Sequence, residues 1–258
     1  IGFCLVGSEM CIRDRPIYEQ ANWFADGKRF NLPNDFYSSR FLVDKIIEFI
    51  DSNPSSEAPF FAYLPFQAVH IPVQAPQSFI DRYKGVYDDG WEVLRTKRYE
   101  AAQALGLVPE NSAMESMAST ESWQNLEPET KRYQAKRMEV YAAMVEAMDF
   151  HTGRLIQHLK NTGYYENTIF IFASDNGSEG SGAGVEPAPA NNLMLSLMDY
   201  NDDYETLGLK GSYGTIGPNF ASAAASPLGY YKFYVGEGGL RVPLIIAGEP
   251  LNLSDPNS

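Results

Sequence analysis

Four side chains in this 258-residue sequence have types and positions that suggest chemistry. They are His70, Asp175, Asn176 and Lys232, and they lie after or before short apolar runs of the strand type. A histidine can act as an acid or donate a hydrogen bond to an anion. Carboxylate and amide oxygens are hard ligands suited to calcium or magnesium, and a lysine supplies the cation that an anionic ester needs. Taken together, the four point to an anion site that includes a metal.

Each of these residues also has an ordinary structural explanation. His70 lies in a proline-bearing loop, residues 67–76, where the backbone alone can satisfy its ring, and its position does not decide between the two roles. Asp175-Asn-Gly177 is a common turn sequence, and taken alone the turn is favoured. Lys232 can be a solvated lysine ahead of a turn at Gly238-Gly239. The functional alternative for those two glycines is that they let the backbone pass close to a ligand or to another strand.

The elements that position these residues are predicted from periodicity. Apolar runs at 59–65, 168–174 and 242–247 are typical of strands buried on both faces. A helix capped by Tyr37-Ser-Ser39 is predicted through Ile50, and a longer one over 138–159 with its stop at Gly163. Strands that alternate with helices predict a three-layer α/β/α fold with a mostly parallel central sheet.

In such sheets, ligands bind just beyond the carboxyl ends of the strands. His70 and the Asp175-Asn176 pair follow the first two predicted strands, and Lys232 precedes the third. Between them lie a polar, helix-rich stretch at 79–129 and a Gly-, Ala-, Pro- and Asn-rich segment at 177–230. The second is too long for a plain connector, which predicts a functional loop region. His151 and His158 fall within the long helix and are interpreted as packing or surface residues.

Composition narrows the classes of partner. A net charge of -13 argues against nucleic acid and repels anions at long range, so an anion site needs local cations or a metal. The two cysteines, Cys4 and Cys11, give no disulfide framework. No apolar run approaches the roughly 18 residues that a membrane span requires. The compartment is left open, with a periplasmic or secreted location favoured over a cytoplasmic one.

From about Phe30 to Gly248, the sequence resembles the sulfatase family of the alkaline-phosphatase superfamily. The insert with Ser212-Tyr-Gly and Gly217-Pro-Asn-Phe is most similar to the bacterial aryl- and alkylsulfatase branch. The segments that carry the resemblance are Leu32-Pro-Asn-Asp-Phe-Tyr-Ser-Ser39, Phe60-Phe-Ala-Tyr63, residues 70–76, Tyr141-Ala-Ala-Met-Val-Glu-Ala-Met-Asp149, Ser174-Asp-Asn-Gly177 and Glu237-Gly-Gly-Leu-Arg-Val-Pro243.

The resemblance implies an alkaline-phosphatase-like fold and the hydrolysis of a small-molecule or carbohydrate sulfate ester. It implies that His70 and Lys232 contact the sulfate and the bridging oxygen, with His70 as the proton donor to the leaving alcohol. Asp175 and Asn176 would supply two ligands of a calcium ion (Ca²⁺). The family's nucleophile is a formylglycine made from a signature cysteine, and the metal and cations stabilise charge on the sulfuryl oxygens.

Some parts of the family pattern have no match here. The nucleophile signature, its neighbouring Arg and Lys-x-His, and the acidic pair that completes the calcium site are missing. Cys11-Ile-Arg-Asp-Arg15 lacks the small or imino third residue and the fourth serine of that signature, so it is rejected. We therefore expect an internal fragment that is truncated at both ends and inactive by itself.

The predicted organisation has three parts. Residues 1–15 resemble a leader that recurs before unrelated fragments from translated environmental reads, and they are interpreted as non-native, a native edge strand being the alternative. Residues 16–248 are interpreted as the central part of a sulfatase catalytic domain, and 249–258 as the start of a truncated C-terminal region.

The sequence leaves open two alternative functions and one alternative that concerns folding. A phosphonate or phosphodiester hydrolase of the same superfamily would share Asp175 and Asn176, and would differ in its nucleophile and metal number. A non-catalytic binding homologue is a second alternative, although it has no use for the full set of four residues. A third is that the polypeptide folds poorly without the strands and helix expected upstream.

Overall fold

The computed structural model describes residues 5–7, 23–52, 58–109, 111–116, 121–180 and 200–251. An antiparallel sheet near the start has the order β1 (Leu5–Gly7), β2 (Trp23–Ala25) and β3 (Lys28–Phe30). The helices are α1 (Ser38–Asp51), α2 (Gln77–Ile80), α3 (Gly90–Ala104), α4 (Pro128–Thr162), α5 (Gly217–Ala224) and α6 (Glu237–Leu240). Two further strands, β4 (Phe170–Ala173) and β5 (Leu244–Ala247), pair with each other. Short 3₁₀ turns lie at Asp81–Tyr83, Trp123–Asn125, Tyr165–Asn167 and Glu249–Leu251.

Helix α4 is the central element, and its sequence explains both of its ends. Pro128 occupies the first turn, where its missing N–H costs nothing. Gly163 ends the helix in the left-handed conformation, with φ 75°, that glycine adopts without strain. The predicted stop at Gly163 is confirmed, whereas the helix begins ten residues before the predicted start at Met138, because charged and polar residues continue the helix there.

The core consists of two clusters of buried side chains that lie against α4. The first is built around the edge-to-face rings of Trp91 and Trp123, with centroids 4.8 Å apart, and Phe220. In the second cluster, α2 and the loop before it pack against α4. Its members are Val140, Ala143, Met144 and Ala147 on α4, and Val73, Ala75, Phe79 and Ile80 on the loop and α2. Helix α4 therefore connects the loop that follows His70 with the region of α5.

Helix α1 lies along the second half of α4, where two ion pairs join them. Asp44 accepts from Arg154 at 2.7 Å, and the carboxylate of Asp51 lies 2.9 Å from Nε2 of His158. The predicted helix is confirmed and ends at Asp51, but the predicted cap is wrong, because Tyr37 is the N-cap residue and makes no side-chain cap hydrogen bond. His151 is buried beside Arg154, in agreement with its interpretation as a packing residue.

The prediction of a buried strand at 59–65 is wrong for the described residues. This segment has no strand pairing, and Phe61 and Tyr63 are 91% and 75% exposed. An apolar run becomes a strand only when a neighbouring strand accepts and donates its backbone hydrogen bonds. Residues 58–65 have no such neighbour within the described part of the chain.

The other two predicted strands exist, but their setting differs from the prediction. β4 pairs with β5 antiparallel, with Phe170 opposite Ala247 and Ala173 opposite Leu244, and most of their side chains are exposed instead of buried. In the described residues, the one parallel pairing is an isolated bridge between Asn201 and Ser212. The mixed helix and strand composition is confirmed, while the parallel central sheet is not present in the described chain.

The remaining predictions about organisation have mixed outcomes. The stretch at 79–129 is helix-rich through α3. The segment at 177–230 includes α5, which its Gly and Pro content did not predict, and residues 181–199 lie outside the described part. β1 falls within residues 1–15 and pairs with β2, and the assignment of that leader stays a prediction. Within the described ranges, no helix is both long and apolar enough to cross a bilayer.

Candidate functional site

His70 is held by a loop that is fastened to a distant part of the chain. The backbone N–H groups of Val73 and Ala75 donate to the carbonyls of Gly214 and Gly208 at 2.9 and 3.0 Å. The Gln74 side chain adds a 2.7 Å bond to the Ser212 carbonyl. These bonds join the residues after His70 to the segment before α5, so the position of the histidine depends on both segments.

The ring of His70 has a defined tautomer. Nδ1 lies 2.9 Å from the carbonyl oxygen of Ile71, which can only accept, so Nδ1 carries the proton of the neutral ring. Nε2 then faces Lys232 with its lone pair, and Nζ of Lys232 lies 3.1 Å away. The nitrogen that can take up a proton and later donate it is therefore Nε2, and it is already in contact with a cation.

Lys232 lies in a strained segment. Its neighbours Tyr230 and Phe233 have φ values of 66° and 80°, a region that residues with a Cβ rarely adopt. Such strain persists only where the surroundings fix the backbone. The N–H of Lys232 donates to the carbonyl of Ser178 at 3.0 Å, which holds this segment against the residues that follow β4.

Glu179 joins the two predicted catalytic residues, and sequence reasoning missed it. Its carboxylate oxygen Oε2 lies 2.7 Å from Nζ of Lys232 and 3.6 Å from Nε2 of His70. The Glu179 side chain is 7% exposed, against 19% for Lys232 and 29% for His70. The signal that was available is its place three residues after Asn176, at a predicted strand end, where polar side chains gather.

Asp175 and Asn176 lie at the turn that follows β4. The Ser174 hydroxyl donates to the backbone carbonyl of Asn176 at 2.8 Å, which closes the turn. Asp175 is exposed and Asn176 half-buried, and Asp175 has no ion-pair partner among the described residues. The structure thus brings His70 and Lys232 into contact, and places Asp175 and Asn176 in the same post-strand segment that supplies Glu179.

Three glycines allow this segment to approach the residues before β5. A Cβ on Gly177 would lie 1.9 Å from the carbonyl oxygen of Gly238, and the N–H of Gly177 donates to the carbonyl of Gly239 at 3.0 Å. A Cβ on Gly238 would lie 2.2 Å from the carbonyl oxygen of Tyr230. The close backbone approach that the sequence suggested for Gly238-Gly239 is therefore present, and it joins the loops that carry Asp175 and Lys232.

The donor chemistry of the turn fits a calcium ion only in part. Asp175 and Asn176 offer oxygen ligands of the kind that Ca²⁺ prefers, but the ion takes about six to eight of them. Among the described residues, no group of three or more Asp, Glu, His and Cys side chains is arranged to hold a metal. Asp175 and Asn176 are therefore donors of a suitable type, and the described Asp, Glu, His and Cys side chains do not complete a calcium shell around them. Cys11 lies outside the described residues, so its rejection as a nucleophile stays a prediction.

Tyrosines near the site stay uncharged at working pH. Burial raises the pKa of Tyr141 to about 12, and the negative charge of Glu179 adds to the increase against the opposing effect of Arg98. Burial raises the pKa of Tyr213, with Glu179 again contributing. Burial and the hydrogen bond with Tyr234 raise the pKa of Tyr231 to about 12. Neutral phenols add no negative charge around His70 and Lys232.

Comparison with known proteins decides the family. A family model described as Sulfatase matches residues 12–255. The chain belongs to the sulfatase family. This membership confirms the resemblance that the segments around His70, Asp175-Asn176 and Lys232 suggested.

Two curated relatives agree with the family model. An uncharacterized sulfatase of Schizosaccharomyces pombe is 42% identical over 220 residues, covering 84% of this chain and 39% of that protein. An arylsulfatase of Klebsiella aerogenes is 35% identical over 225 residues, covering 86% of this sulfatase chain and 47% of that protein. A solved structure, Ps i-CgsB in complex with k-i-k-neocarrahexaose, matches with a TM-score of 0.46 at 21% sequence identity. The match covers 88% of this chain and 31% of that one. The sulfatase chain thus spans less than half the length of the two curated relatives.

Proposed function

We propose that this chain is part of a sulfuric ester hydrolase of the arylsulfatase type. The enzyme would break the S–O bond of a sulfate monoester with water, releasing the alcohol and hydrogen sulfate. The observation that carries the proposal is the contact of His70, Glu179 and Lys232, in a chain of the sulfatase family whose Asp175-Asn176 turn lies in the same segment as Glu179. The substrate would be a small-molecule or carbohydrate sulfate ester.

Lys232 and His70 would bind the reacting group. The ammonium of Lys232 is a compact donor that can meet the sulfuryl oxygens, where negative charge gathers during S–O cleavage. Nε2 of His70 is the ring nitrogen that faces the same point, because Nδ1 is engaged by the Ile71 carbonyl. A protonated Nε2 would donate to the oxygen of the leaving alcohol, which otherwise departs as an alkoxide.

Asp175 and Asn176 would supply two of the ligands of a calcium ion. When bound, the ion contributes positive charge that stabilises the sulfuryl oxygens. Its remaining ligands, and the formylglycine nucleophile of the family, would lie in parts of a longer protein. We also propose that the longer protein has the three-layer α/β/α fold with a mostly parallel central sheet. The chain by itself would then be inactive.

A phosphonate or phosphodiester hydrolase is the main alternative. It would use the same Asp175-Asn176 turn, but it differs in nucleophile and metal number. The names of the curated relatives favour the sulfatase. A non-catalytic homologue is disfavoured by Lys232 and His70, since a binding scaffold gains nothing from holding a lysine against an imidazole in a half-buried site.

The calcium assignment is tested in the full-length protein by replacing each ligand in turn. Asp175→Ala should weaken calcium binding about 10-fold or more, because it removes a carboxylate charge from the metal shell. Asn176→Ala should weaken it less, since only a dipole is lost. Titration calorimetry with calcium gives both affinities, and turnover of an aryl sulfate should fall in the same order.

Asp89→Ala is the matched control, because Asp89 is an exposed aspartate with a weak 3.5 Å partner in Lys97. Its calcium affinity and turnover should equal those of the wild type. Asp175→Ala protein that binds calcium as tightly as the wild type would show that Asp175-Asn-Gly177 is only a turn.

A further inference from the structure

We propose that Glu179 is a positioning residue that holds Lys232 and His70 in the arrangement in which they meet the ester. The inference rests on the proposed function for the role of those two residues. It goes further in assigning a task to a buried carboxylate that neither contacts the ester nor belongs to the Asp175-Asn176 turn.

The burial of Glu179 is the first observation. A carboxylate with 7% of its side chain exposed loses most of its hydration and needs a compensating partner. Lys232 supplies that partner at 2.7 Å, and Nε2 of His70 lies within 3.6 Å of the same oxygen. One oxygen atom therefore faces both residues that are proposed to bind the sulfate ester.

The backbone around Glu179 is fixed on both sides. The Ser178 hydroxyl donates to the Ala221 carbonyl of α5 at 2.6 Å, and the Ser178 carbonyl accepts from the N–H of Lys232 at 3.0 Å. On the other side, Gly180 lies under the ring of Tyr231, since a Cβ there would be 2.5 Å from a ring carbon. The backbone that carries the carboxylate is thus hydrogen-bonded on one side and packed against a ring on the other, so the direction of the side chain is constrained from both ends.

Charge explains why the site keeps a carboxylate where an anion would bind. Nζ of Lys232 and Nε2 of His70 are 3.1 Å apart, so a protonated His70 places two cations side by side. Like charges at this distance repel strongly when water is excluded. Glu179 offsets that repulsion, and the three groups together still carry one positive charge when His70 is protonated.

The activity test uses Glu179→Gln in the full-length protein, with two esters of different leaving groups. Turnover of an alkyl sulfate, whose alcohol needs a proton to leave, should fall about 10- to 100-fold. Turnover of para-nitrophenyl sulfate should fall less, because nitrophenolate leaves without that proton. Glu179→Asp, which keeps the charge with a shorter reach, should recover part of the lost activity.

Glu139→Gln is the matched control. Glu139 is an equally buried glutamate, with 8% of the whole residue exposed against 6% of the whole residue for Glu179, and its carboxylate on α4 accepts the N–H of Gly85 at 2.7 Å. The loss of the Glu139 charge should change the turnover of both esters equally or not at all. If Glu179→Gln slowed turnover of both esters by the same factor as Glu139→Gln, Glu179 would have only a structural role, and the proposal would be overturned.

A double variant tests whether Glu179 acts through Lys232. If it does, then with para-nitrophenyl sulfate, whose leaving group needs no proton from His70, Lys232→Met with Glu179→Gln should be no slower than Lys232→Met alone, because the lysine to be positioned is gone. Losses that multiply in the double variant would contradict the proposal.

A measurement without turnover separates this inference from the proposed function. The chain has three histidines, so ring-nitrogen NMR spectra of the 258-residue chain resolve each one. Glu179→Gln should shift the ring signals of His70 and leave those of His151 and His158 in place. Unchanged His70 signals would overturn the positioning role even in an active sulfatase. A selective shift in a protein that hydrolyses no sulfate ester would support the positioning role and reject the proposed function.

Discussion

A Lys232→Met variant of the full-length protein is expected to hydrolyse an aryl sulfate about 10²- to 10³-fold more slowly than the wild type. Methionine keeps the length of the side chain and removes the ammonium that would meet the sulfuryl oxygens. The same change leaves Glu179 buried without its 2.7 Å partner, which places a carboxylate beside an anionic ester. Both effects act on kcat/KM, and steady-state kinetics on para-nitrophenyl sulfate measures their sum.

Lys97→Met is the control for this experiment, since Lys97 is exposed on α3 and its ion-pair partner among the described residues, Asp89, is 3.5 Å away. It should leave kcat/KM at the wild-type value. Lys232→Met protein with more than half of the wild-type kcat/KM would mean that Lys232 is an ordinary surface lysine ahead of the Gly238-Gly239 turn.

Gly177→Ala is expected to abolish most of the activity and to lower the free energy of unfolding. The new Cβ would lie 1.9 Å from the carbonyl oxygen of Gly238. Neither atom can be moved by a side-chain rotation, because the Cβ is fixed to the backbone and the oxygen is part of it. Forcing extra volume into a packed site costs about 1–3 kcal/mol, and the relief must come from moving the turn that carries Asp175 and Asn176. Denaturant unfolding and aryl sulfate turnover should both report the change.

Gly153→Ala is the control, because the same substitution at this position should raise the free energy of unfolding instead of lowering it. Gly153 lies within α4, and a Cβ added there would meet no neighbouring side chain or segment within 4 Å, so alanine should stabilise the helix by up to about 1 kcal/mol. Activity should be unaffected. Gly177→Ala protein with wild-type turnover and stability would contradict the close packing of the two loops.

Local signals in the sequence predicted the helices well. Gly163 stops α4 because the left-handed conformation is open to glycine, and α1 ends at Asp51 where its apolar spacing ends. These features depend on residues within a few positions of each other, and periodicity reports them directly. The contact between His70 and Lys232 did not follow from the predicted strand ends, because residues 59–65 pair with no strand in the described chain.

The strands and Glu179 show where that reasoning stops. The run at 59–65 is as apolar as β4, yet it has no strand partner in the described chain, and its sequence cannot supply one. The antiparallel pairing of β4 with β5 depends on contacts between segments about seventy residues apart. Glu179 belongs to no motif, and its role is visible only once Lys232 and His70 are placed in space.

The most direct test of the proposed function is a comparison of ester classes by the full-length protein in the presence of calcium. The enzyme is supplied in turn with para-nitrophenyl sulfate, para-nitrophenyl phosphate, bis-para-nitrophenyl phosphate and a phosphonate monoester, and kcat/KM is measured for each. If His70, Lys232 and the Asp175-Asn176 turn form a sulfatase site, the sulfate ester should have the highest kcat/KM, and chelation of calcium should remove that activity. A higher kcat/KM for the phosphodiester or the phosphonate would contradict the assignment and favour the phosphoesterase alternative.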